Sequence, residues 1–278
     1  MYQKFLESFD ASQVRHGTDG VVEYQIQDDV AVVMISNEVA RNALSLEMWG
    51  QLERVFEDLA RVVRLRAVVV RGAGTAAFAA GADISEFPGN RFDSSQASRY
   101  NNQLSRALRA IAGIEIPTLA MIRGFAVGGG CELSAACDLR IGATDAHIGI
   151  PIGRLGVILG ITESKLLVRN LGVSGLKRVL FSGELFGAAD SLHLGLLDEV
   201  VSTEDLAYRV NELLMAIVTS SATTMAAAKV ITDLAGELND RATDRVSQFM
   251  VETYDGDDLK EGVAAFLEKR PPLFSEKA

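Results

Sequence analysis

The sequence has few of the residues that disulfide-linked, metal-binding and nucleotide-binding proteins require. It has only two cysteines, and the spacing of Cys131 and Cys137 suits neither a local disulfide nor a CxxC metal pair, so we expect small buried core residues. The three histidines are isolated from one another, and no metal site is predicted. No GxxxxGK[ST] and no strand–GxGxxG–helix pattern occurs, which excludes phosphate-binding loops and dinucleotide-binding turns of those types.

The chain also lacks long hydrophobic runs and an excess of basic residues. No apolar run approaches the roughly 20 residues that a membrane-spanning helix needs, and residues 1–20 lack the pattern of a secretory signal. The 27 Lys and Arg are outnumbered by 37 Asp and Glu, and the net charge of −10 argues against binding to nucleic acid or anionic membranes. We therefore expect a cytoplasmic protein with no nucleic-acid and no membrane partner.

Hydrophobic periodicity predicts strands that alternate with helices. Continuous apolar, β-branched runs predict buried strands at Val30–Ile35 and Ala67–Val70, and an amphipathic helix is predicted between them at Leu46–Leu65. The polar stretch Phe87–Asn102 predicts a mobile loop before the next helix. Only helical patterns follow Thr203. The order predicts an α/β protein in which helices cover a sheet.

The stretch IPTLAMIRGFAVGGGCELSAACD, at 116–138, has the strongest functional signal. A predicted strand at Thr118–Ile122 leads through a turn to three consecutive glycines, and a helix is predicted to begin near Cys131–Glu132. Glycines at such a turn let the backbone approach a ligand and point unpaired N–H groups at it, and the helix dipole adds positive potential. The turn could therefore stabilise an oxyanion beside Glu132. From these residues alone, a glycine-rich surface turn with a capping glutamate remains an equally open interpretation.

Four segments follow one another in a recognisable order: RNALSLEMW at 41–49, AFAAGADISEF at 77–87, GFAVGGGCELSAACD at 124–138 and FLEKRPPLF at 266–274. Together they resemble the crotonase (enoyl-CoA hydratase/isomerase) superfamily, and the resemblance covers roughly Val21 to the C-terminus. It implies an α/β fold with a crotonase-like spiral of repeated ββα turns at 21–200, after an N-terminal arm at 1–20. It also implies a C-terminal helical region at 201–278 that supports a homotrimer or a dimer of trimers.

The resemblance implies an acyl-CoA thioester as the substrate, with coenzyme A carried on it and no separate cofactor. Members of the family stabilise a thioester enolate between two main-chain N–H groups, which here would belong to Ala82 and Gly129. Glu132 matches the first catalytic glutamate. Phe266 and Lys269 would reach the adenine or 3′-phosphate of coenzyme A and could come from a neighbouring subunit. In full, the substrate-binding residues that the resemblance implies are Arg41, Ala80, Gly81, Gly128, Ile152, Phe266 and Lys269.

One position departs from the family pattern in a way that matters for the reaction. Syn hydration uses a second glutamate, and at its position this chain has Ile152, which cannot transfer a proton. Glu132 could act alone through a water, or another acid such as Glu86 or Asp93 could enter from the predicted loop, although both are expected to be solvated surface charges. A third interpretation is decarboxylation of a malonyl-type thioester, which needs no second acid because an apolar residue would desolvate the substrate carboxylate.

The resemblance does not decide between catalysis and simple binding, nor between reactions. Family decarboxylases also lack the second glutamate, but they have a polar tyrosine where this chain has Leu159. Glu163, early in a helix predicted from about Thr162, is expected to interact with the helix dipole rather than to catalyse. A non-catalytic acyl-CoA binder and an RNA-binding relative are the two non-enzymatic interpretations. The acidic balance counts against RNA, and Glu132 beside both N–H segments counts against an inactive binder.

Overall fold

Strands and helices alternate along the chain, and the strands form two sheets. The computed structural model describes residues 1–8, 20–237, 248, 251–253 and 257–274. The strands in these ranges are β1 (Val21–Gln27), β2 (Val30–Ser36), β3 (Ala67–Gly72), β4 (Ala77–Ala79), β5 (Thr118–Ile122), β6 (Phe125–Val127), β7 (Leu139–Ala143), β8 (His147–Gly149), β9 (Phe186–Gly187) and β10 (Glu199–Val201). The helices are α1 (Gln3–Ser8), α2 (Leu46–Leu59), α3 (Phe87–Asn90), α4 (Ser94–Gly113), α5 (Gly129–Ala136), α6 (Ile161–Ser182), α7 (Ala188–Leu194), α8 (Leu206–Val218), α9 (Ala222–Glu237) and α10 (Asp257–Glu268).

Parallel pairing dominates both sheets. The larger sheet has six strands in the order β1-β2-β3-β5-β7-β10, and only β1 runs antiparallel to its neighbour. The smaller sheet has the order β4-β6-β8-β9, with β4, β6 and β8 parallel to one another and β9 antiparallel to β8. Because β4 and β6 are parallel neighbours, their carboxyl ends lie at the same edge of the smaller sheet.

Hydrophobic packing covers both faces of the larger sheet. Alternate residues of β2 point to opposite sides, so that Val33 joins the core formed with α2 and α4, while Val32 joins a second cluster formed with α1 and α8. Burial on both faces explains why the strand has an uninterrupted apolar sequence. A buried lysine fixes α9 to this sheet, because Lys229 Nζ lies 2.8 Å from Asp138 Oδ2 and donates to Ile116 O at 3.2 Å.

Most of the elements expected from periodicity are present. The predicted strands correspond to β2, β3 and β5, and the helix predicted at Leu46–Leu65 begins at Leu46 but ends at Leu59. The side chain of Ser45 accepts the hydrogen bond from Met48 N that caps this helix. α6 begins at Ile161, one residue before the predicted start, and its helical backbone breaks at Gly172. Both cysteines are free and buried, as expected.

Two predictions about local structure are wrong. The stretch Phe87–Asn102 is not a mobile loop, because α3 and the first turns of α4 occupy most of it, with Asp93 capping α4 by accepting a hydrogen bond from Gln96 N. The helix expected to begin near Cys131–Glu132 begins at Gly129, so Glu132 is one turn inside it. Strand β1 and the short strands of the smaller sheet were not predicted.

Only part of each end of the chain lies within the described residues. In the N-terminal arm, α1 packs on the larger sheet through Leu6, which is fully buried. Residues 9–19 lie outside the described ranges, as does most of a further helix that the sequence pattern predicts at 241–254. Among the described helices none is alone long and apolar enough to cross a membrane, although α8 and α9, bent at 106° to each other, meet that test as a pair. The oligomeric role of the C-terminal helices stays a prediction.

Candidate active site

Two main-chain segments meet where β4 and β6 end. Residues 80–82 follow β4, and Gly128 and Gly129 connect β6 to α5. A Cβ atom placed on Gly129 would lie 3.5 Å from the Ala82 nitrogen, and one placed on Gly81 would lie 3.7 Å from the Gly129 nitrogen. The parallel pairing of β4 and β6 therefore brings the N–H groups of Ala82 and Gly129 to the same place.

Neither of these two N–H groups donates to a carbonyl in the described backbone hydrogen bonds, whereas the residues around them are fixed. Leu44 bonds through its N–H (2.7 Å) and its C=O (2.9 Å) to the residues on either side of Ala82. The Gly128 N–H donates to Gly149 O at 2.8 Å. Gly129 is the first residue of α5, where a helix leaves its N–H groups without an internal acceptor. The two donors are therefore held in place and remain available to a ligand.

Close packing of α5 on β4 keeps the two segments together. A Cβ atom at Gly130 would lie only 2.0 Å from Ala79 O, so the helix can approach the strand this closely only with glycine there. On the other side of the helix start, the ring of Trp49 would meet a Cβ at Gly129 at 2.9 Å. Trp49 Nε1 in turn donates to the hydroxyl of Tyr100 at 3.2 Å, which links α2 to α4.

These segments border a cavity of about 140 Å³. Its other walls are mostly apolar and come from α3, α4 and the segment between β8 and α6, including Phe87, Leu104, Leu155 and Leu159. A small number of polar groups in an apolar cavity is the usual composition of a ligand site. Of the ten site residues expected from the sequence, seven line this cavity: Ala80, Gly81, Ala82, Gly128, Gly129, Glu132 and Ile152.

Glu132 lies in this cavity with an altered acidity. Its side chain is buried, and burial, followed by the negative charge of Glu163, raises its pKa to about 8, while the charge of Arg91 acts in the opposite direction. The carboxyl group therefore keeps its proton at neutral pH. An acid with a pKa close to the working pH can both give and take a proton during a reaction.

Glu163 is a second buried acid in the same cavity, and sequence analysis did not identify it as part of the site. It lies in the first turn of α6, as expected, but only 3% of it is exposed. Ser105 Oγ, on α4, donates to Glu163 Oε1 at 2.6 Å, and Oε2 is buried with no hydrogen-bond partner among the described residues. The absence of a side chain at Gly160 leaves space for this oxygen, because a Cβ atom there would lie 2.1 Å from Oε2. No local sequence pattern distinguishes this glutamate from an ordinary acid in a first helical turn.

Arg91 also lines the cavity, and its role was hidden within the stretch predicted as a loop. Its guanidinium carbon lies 4.9 Å from the ring centre of Phe87 and 4.5 Å from that of Tyr100, and Nη2 donates to Asn101 Oδ1. Stacking on two aromatic rings and the amide bond fix the cation at the cavity wall. The site therefore contains one fixed positive charge and two acids.

The acids considered as replacements for the missing glutamate lie elsewhere. Glu86 Oε2 accepts from Leu46 N at 2.8 Å, and this bond holds the first residue of α2, so Glu86 is half-buried rather than a solvated surface charge. Asp93 is exposed and caps α4. Neither residue lines the cavity.

The residues expected along coenzyme A are placed differently from one another. Arg41 lies beside the cavity, since its carbonyl accepts from Ala80 N at 3.0 Å and its guanidinium stacks 5.5 Å from the ring centre of Phe125. Lys269 is exposed just after α10 and does not line the cavity of its own chain, and the side chain of Phe266 lies outside the described part of the structure. Their contact with coenzyme A stays a prediction. Among the described residues, no three His, Cys, Asp or Glu side chains converge as metal ligands would.

Comparisons with known proteins agree on one family. A family model described as "Enoyl-CoA hydratase/isomerase" matches residues 25–277. The short-chain-enoyl-CoA hydratase of Clostridium acetobutylicum is 30% identical over 242 residues, which cover 87% of this chain and 92% of that protein. The crotonyl-CoA hydratase of Syntrophomonas wolfei is 30% identical over 256 residues, covering 90% and 96%. Among solved structures, an enoyl-CoA hydratase/carnithine racemase from Magnetospirillum magneticum superposes with a TM-score of 0.87 at 28% identity, covering 94% of this chain and 97% of that one.

Proposed function

Because the chain belongs to the enoyl-CoA hydratase/isomerase family, we propose that it transforms an acyl-CoA thioester through an enolate held by the N–H groups of Ala82 and Gly129. The observation that carries this proposal is the meeting of two unpaired main-chain donors with a buried glutamate in one cavity. A thioester carbonyl oxygen would accept from both donors. As negative charge develops on that oxygen, each such donor contributes about 3–4 kcal/mol to transition-state stabilisation.

Glu132 is the acid–base group of the proposed reaction. Its carboxyl group is protonated at neutral pH, so it can deliver a proton to the α-carbon of an enolate. Addition of water to a 2-enoyl thioester forms a C–O bond at the β-carbon and breaks one O–H bond of the water. The double-bond electrons move into the enolate, whose α-carbon takes the proton of Glu132, and the proton released by the water finally restores that of Glu132. Hydration of an enoyl-CoA is therefore the first reaction that we propose for this site.

Decarboxylation is a second candidate, and one observation favours it. Arg91 lines the same cavity as Ile152, so a fixed cation could hold a substrate carboxylate near an apolar wall. Loss of CO₂ from a malonyl-type thioester would leave the electron pair of the broken C–C bond on the α-carbon as the enolate. Glu132 would then protonate that carbon, and no second acid would be needed.

The two reactions are separated by supplying each substrate to the purified protein. Loss of the enoyl-thioester absorbance of crotonyl-CoA measures hydration, and release of CO₂ from a malonyl-type thioester measures decarboxylation. We expect Glu132→Gln to lower kcat of whichever reaction the wild type catalyses by about 10²–10⁴-fold, the usual contribution of a positioned proton-transfer group. Glu86→Gln is the matched control, because Glu86 caps α2 outside the cavity. Tight binding of CoA esters with no turnover of either substrate would instead support a non-catalytic binder.

We also propose that the chain works as a homotrimer or a dimer of trimers in the cytoplasm. In such an assembly, Lys269 of one subunit would meet the 3′-phosphate of coenzyme A on another, since a lysine ammonium suits a phosphate as a point charge. Light scattering gives the subunit number directly. Lys269→Ala should raise KM for a CoA thioester while leaving the KM for the shorter pantetheine thioester unchanged, and equal effects on both would contradict this placement.

A further inference from the structure

We propose that Glu163 is the second acid–base group of this site and replaces the carboxyl group that Ile152 does not provide. The inference rests on the proposed enolate function. It concerns the proton that the attacking water loses during hydration, whereas Glu132 supplies the proton that the α-carbon gains. The geometry of the cavity carries it: Glu132 from α5 and Glu163 from α6 are the two acidic residues among those that line it.

The surroundings of Glu163 hold its carboxylate ready for a ligand. Ser105 fixes one oxygen through a 2.6 Å hydrogen bond, while the other oxygen is buried and has no partner among the described groups. Leaving a buried carboxylate oxygen unsatisfied costs stability, and such groups in a folded protein call for a functional explanation. A water or substrate atom in the cavity would supply the absent partner. Gly160, which lacks a side chain, keeps this oxygen from being displaced.

Two acids in one cavity divide the roles of acid and base between them. Their like charges make simultaneous ionisation unfavourable, and the charge of Glu163 is one of the causes that raise the pKa of Glu132. Glu132 therefore keeps its proton at neutral pH and can act as the acid, and the proposal assigns the role of the base to Glu163. A pair in this state can give one proton and accept another in the same reaction.

The proposed step balances without any other reagent. The Glu163 carboxylate takes a proton from water as the water oxygen forms its bond to the β-carbon. The electrons of the double bond pass into the enolate held by the two main-chain N–H groups, and the α-carbon then takes the proton of Glu132. After one turnover the proton has moved from Glu132 to Glu163, and its return, directly or through solvent, restores the starting state.

The variant Glu163→Gln tests this assignment because glutamine keeps the shape and can still accept the hydrogen bond from Ser105. We expect kcat for crotonyl-CoA hydration to fall by about 10²–10⁴-fold with little change in KM. Glu163→Asp, which restores a carboxylate, should recover part of the activity. Glu184→Gln is the matched control, since Glu184 is exposed beyond the end of α6. Hydration by Glu163→Gln within about threefold of the wild type would overturn the assignment.

The pH profile separates proton transfer from a structural role. The charged or titratable side chains that face Glu132 are Glu163 on α6, Arg91 before α4 and Tyr100 on α4, with Cys131 beside it on α5. Glu163→Gln changes only the first of these, so the pKa of Glu132 should fall and the alkaline limb of the remaining activity should move to lower pH. A purely structural role predicts an unchanged limb and a lower Tm. The proposed role predicts an unchanged or higher Tm, because a buried charge has been removed.

Exchange of the α-proton distinguishes failure of this inference from failure of the proposed function. Exchange of the α-hydrogens of butyryl-CoA with D₂O needs the two N–H groups and Glu132, but no addition of water. Glu163→Gln should therefore retain exchange while losing hydration. A wild type that exchanges but does not hydrate would overturn the role of Glu163 and leave the enolate function intact. A wild type that neither exchanges, hydrates nor decarboxylates would refute the proposed function itself.

Discussion

Replacing Glu132 by glutamine should remove a large part of the pH dependence of folding stability. Burial and the charge of Glu163 raise the pKa of this carboxyl group from an ordinary 4.5 to about 8. Between these values the folded chain holds a proton that the unfolded chain releases, so stability is greatest below the unfolded pKa and falls as pH rises through the folded one. At about 1.4 kcal/mol per pH unit, the loss over this interval amounts to about 5 kcal/mol.

Thermal unfolding at about pH 5 and about pH 8.5, at one fixed protein concentration, measures this effect. A loss of about 5 kcal/mol corresponds to a fall in Tm of about 10 °C for a chain of this size, in addition to whatever other groups contribute. The Glu132→Gln variant has no carboxyl group to ionise at this position. Between the two pH values its Tm should therefore fall by about 10 °C less than that of the wild type, and at the higher pH its Tm should exceed the wild-type value. Glu57→Gln, at an exposed position on α2, is the control for removing one carboxylate and should behave as the wild type does.

The comparison between variants makes this reasoning refutable. The contributions of all other titrating groups cancel in the difference between the wild type and Glu132→Gln. An equal fall in Tm for both proteins would mean that Glu132 titrates as a solvated acid and that the cavity does not desolvate it. The fall in Tm of Glu163→Gln between the two pH values should be intermediate between those of the wild type and Glu132→Gln. In this variant the burial of Glu132 remains, while the charge that opposes its ionisation is gone.

Three further predictions test the scaffold around the site. Gly130→Ala should lower stability by about 2–3 kcal/mol and abolish turnover, because its methyl group would collide with Ala79 O and displace α5; urea unfolding and the hydration assay check both effects. Lys229→Met should lower the free energy of unfolding by about 3 kcal/mol because Asp138 loses its buried partner, and Lys229→Arg should lower it less. Tyr100→Phe should lower it by about 1–3 kcal/mol, measured in the same way, because the indole N–H of α2 is left without its acceptor.

The sequence predicts best those parts of the fold that depend on local pattern. The apolar runs of β2, β3 and β5 are buried on both faces, and such strands have no polar alternation that could disguise them. Strand β1 was missed because Glu23 and Gln25 interrupt its apolar residues. The start of α4 was missed because Pro88-Gly89 and several serines resemble a loop, while the apolar face that defines the helix begins only at Tyr100.

The same distinction applies to the site: some of its residues belong to local sequence motifs, and others are brought to it only by the tertiary structure. The segments around Ala82 and Gly129 carry recognisable motifs, and the structure brings them together at the ends of neighbouring strands. The place of Glu163 depends on the packing of α6 against α4 and α5, and on a serine far away in the sequence, so no window around Glu163 contains the information. The same holds for Arg91, whose position is set by the two rings on which it stacks.

The two proposed donors to the thioester oxygen, from Ala82 and from Gly129 at the start of α5, are main-chain N–H groups. This has a consequence for how mutation can change such a protein over generations. A single codon change can convert either glutamate into another residue, but among the common amino acids only proline removes a backbone N–H. In the proposed enzyme, a point mutation such as Gly130→Ala can move these donors, but only proline removes one, whereas many substitutions remove a proton-transferring side chain outright. A descendant could acquire a different reaction by relocating one carboxyl group within the cavity, without losing the ability to hold the substrate.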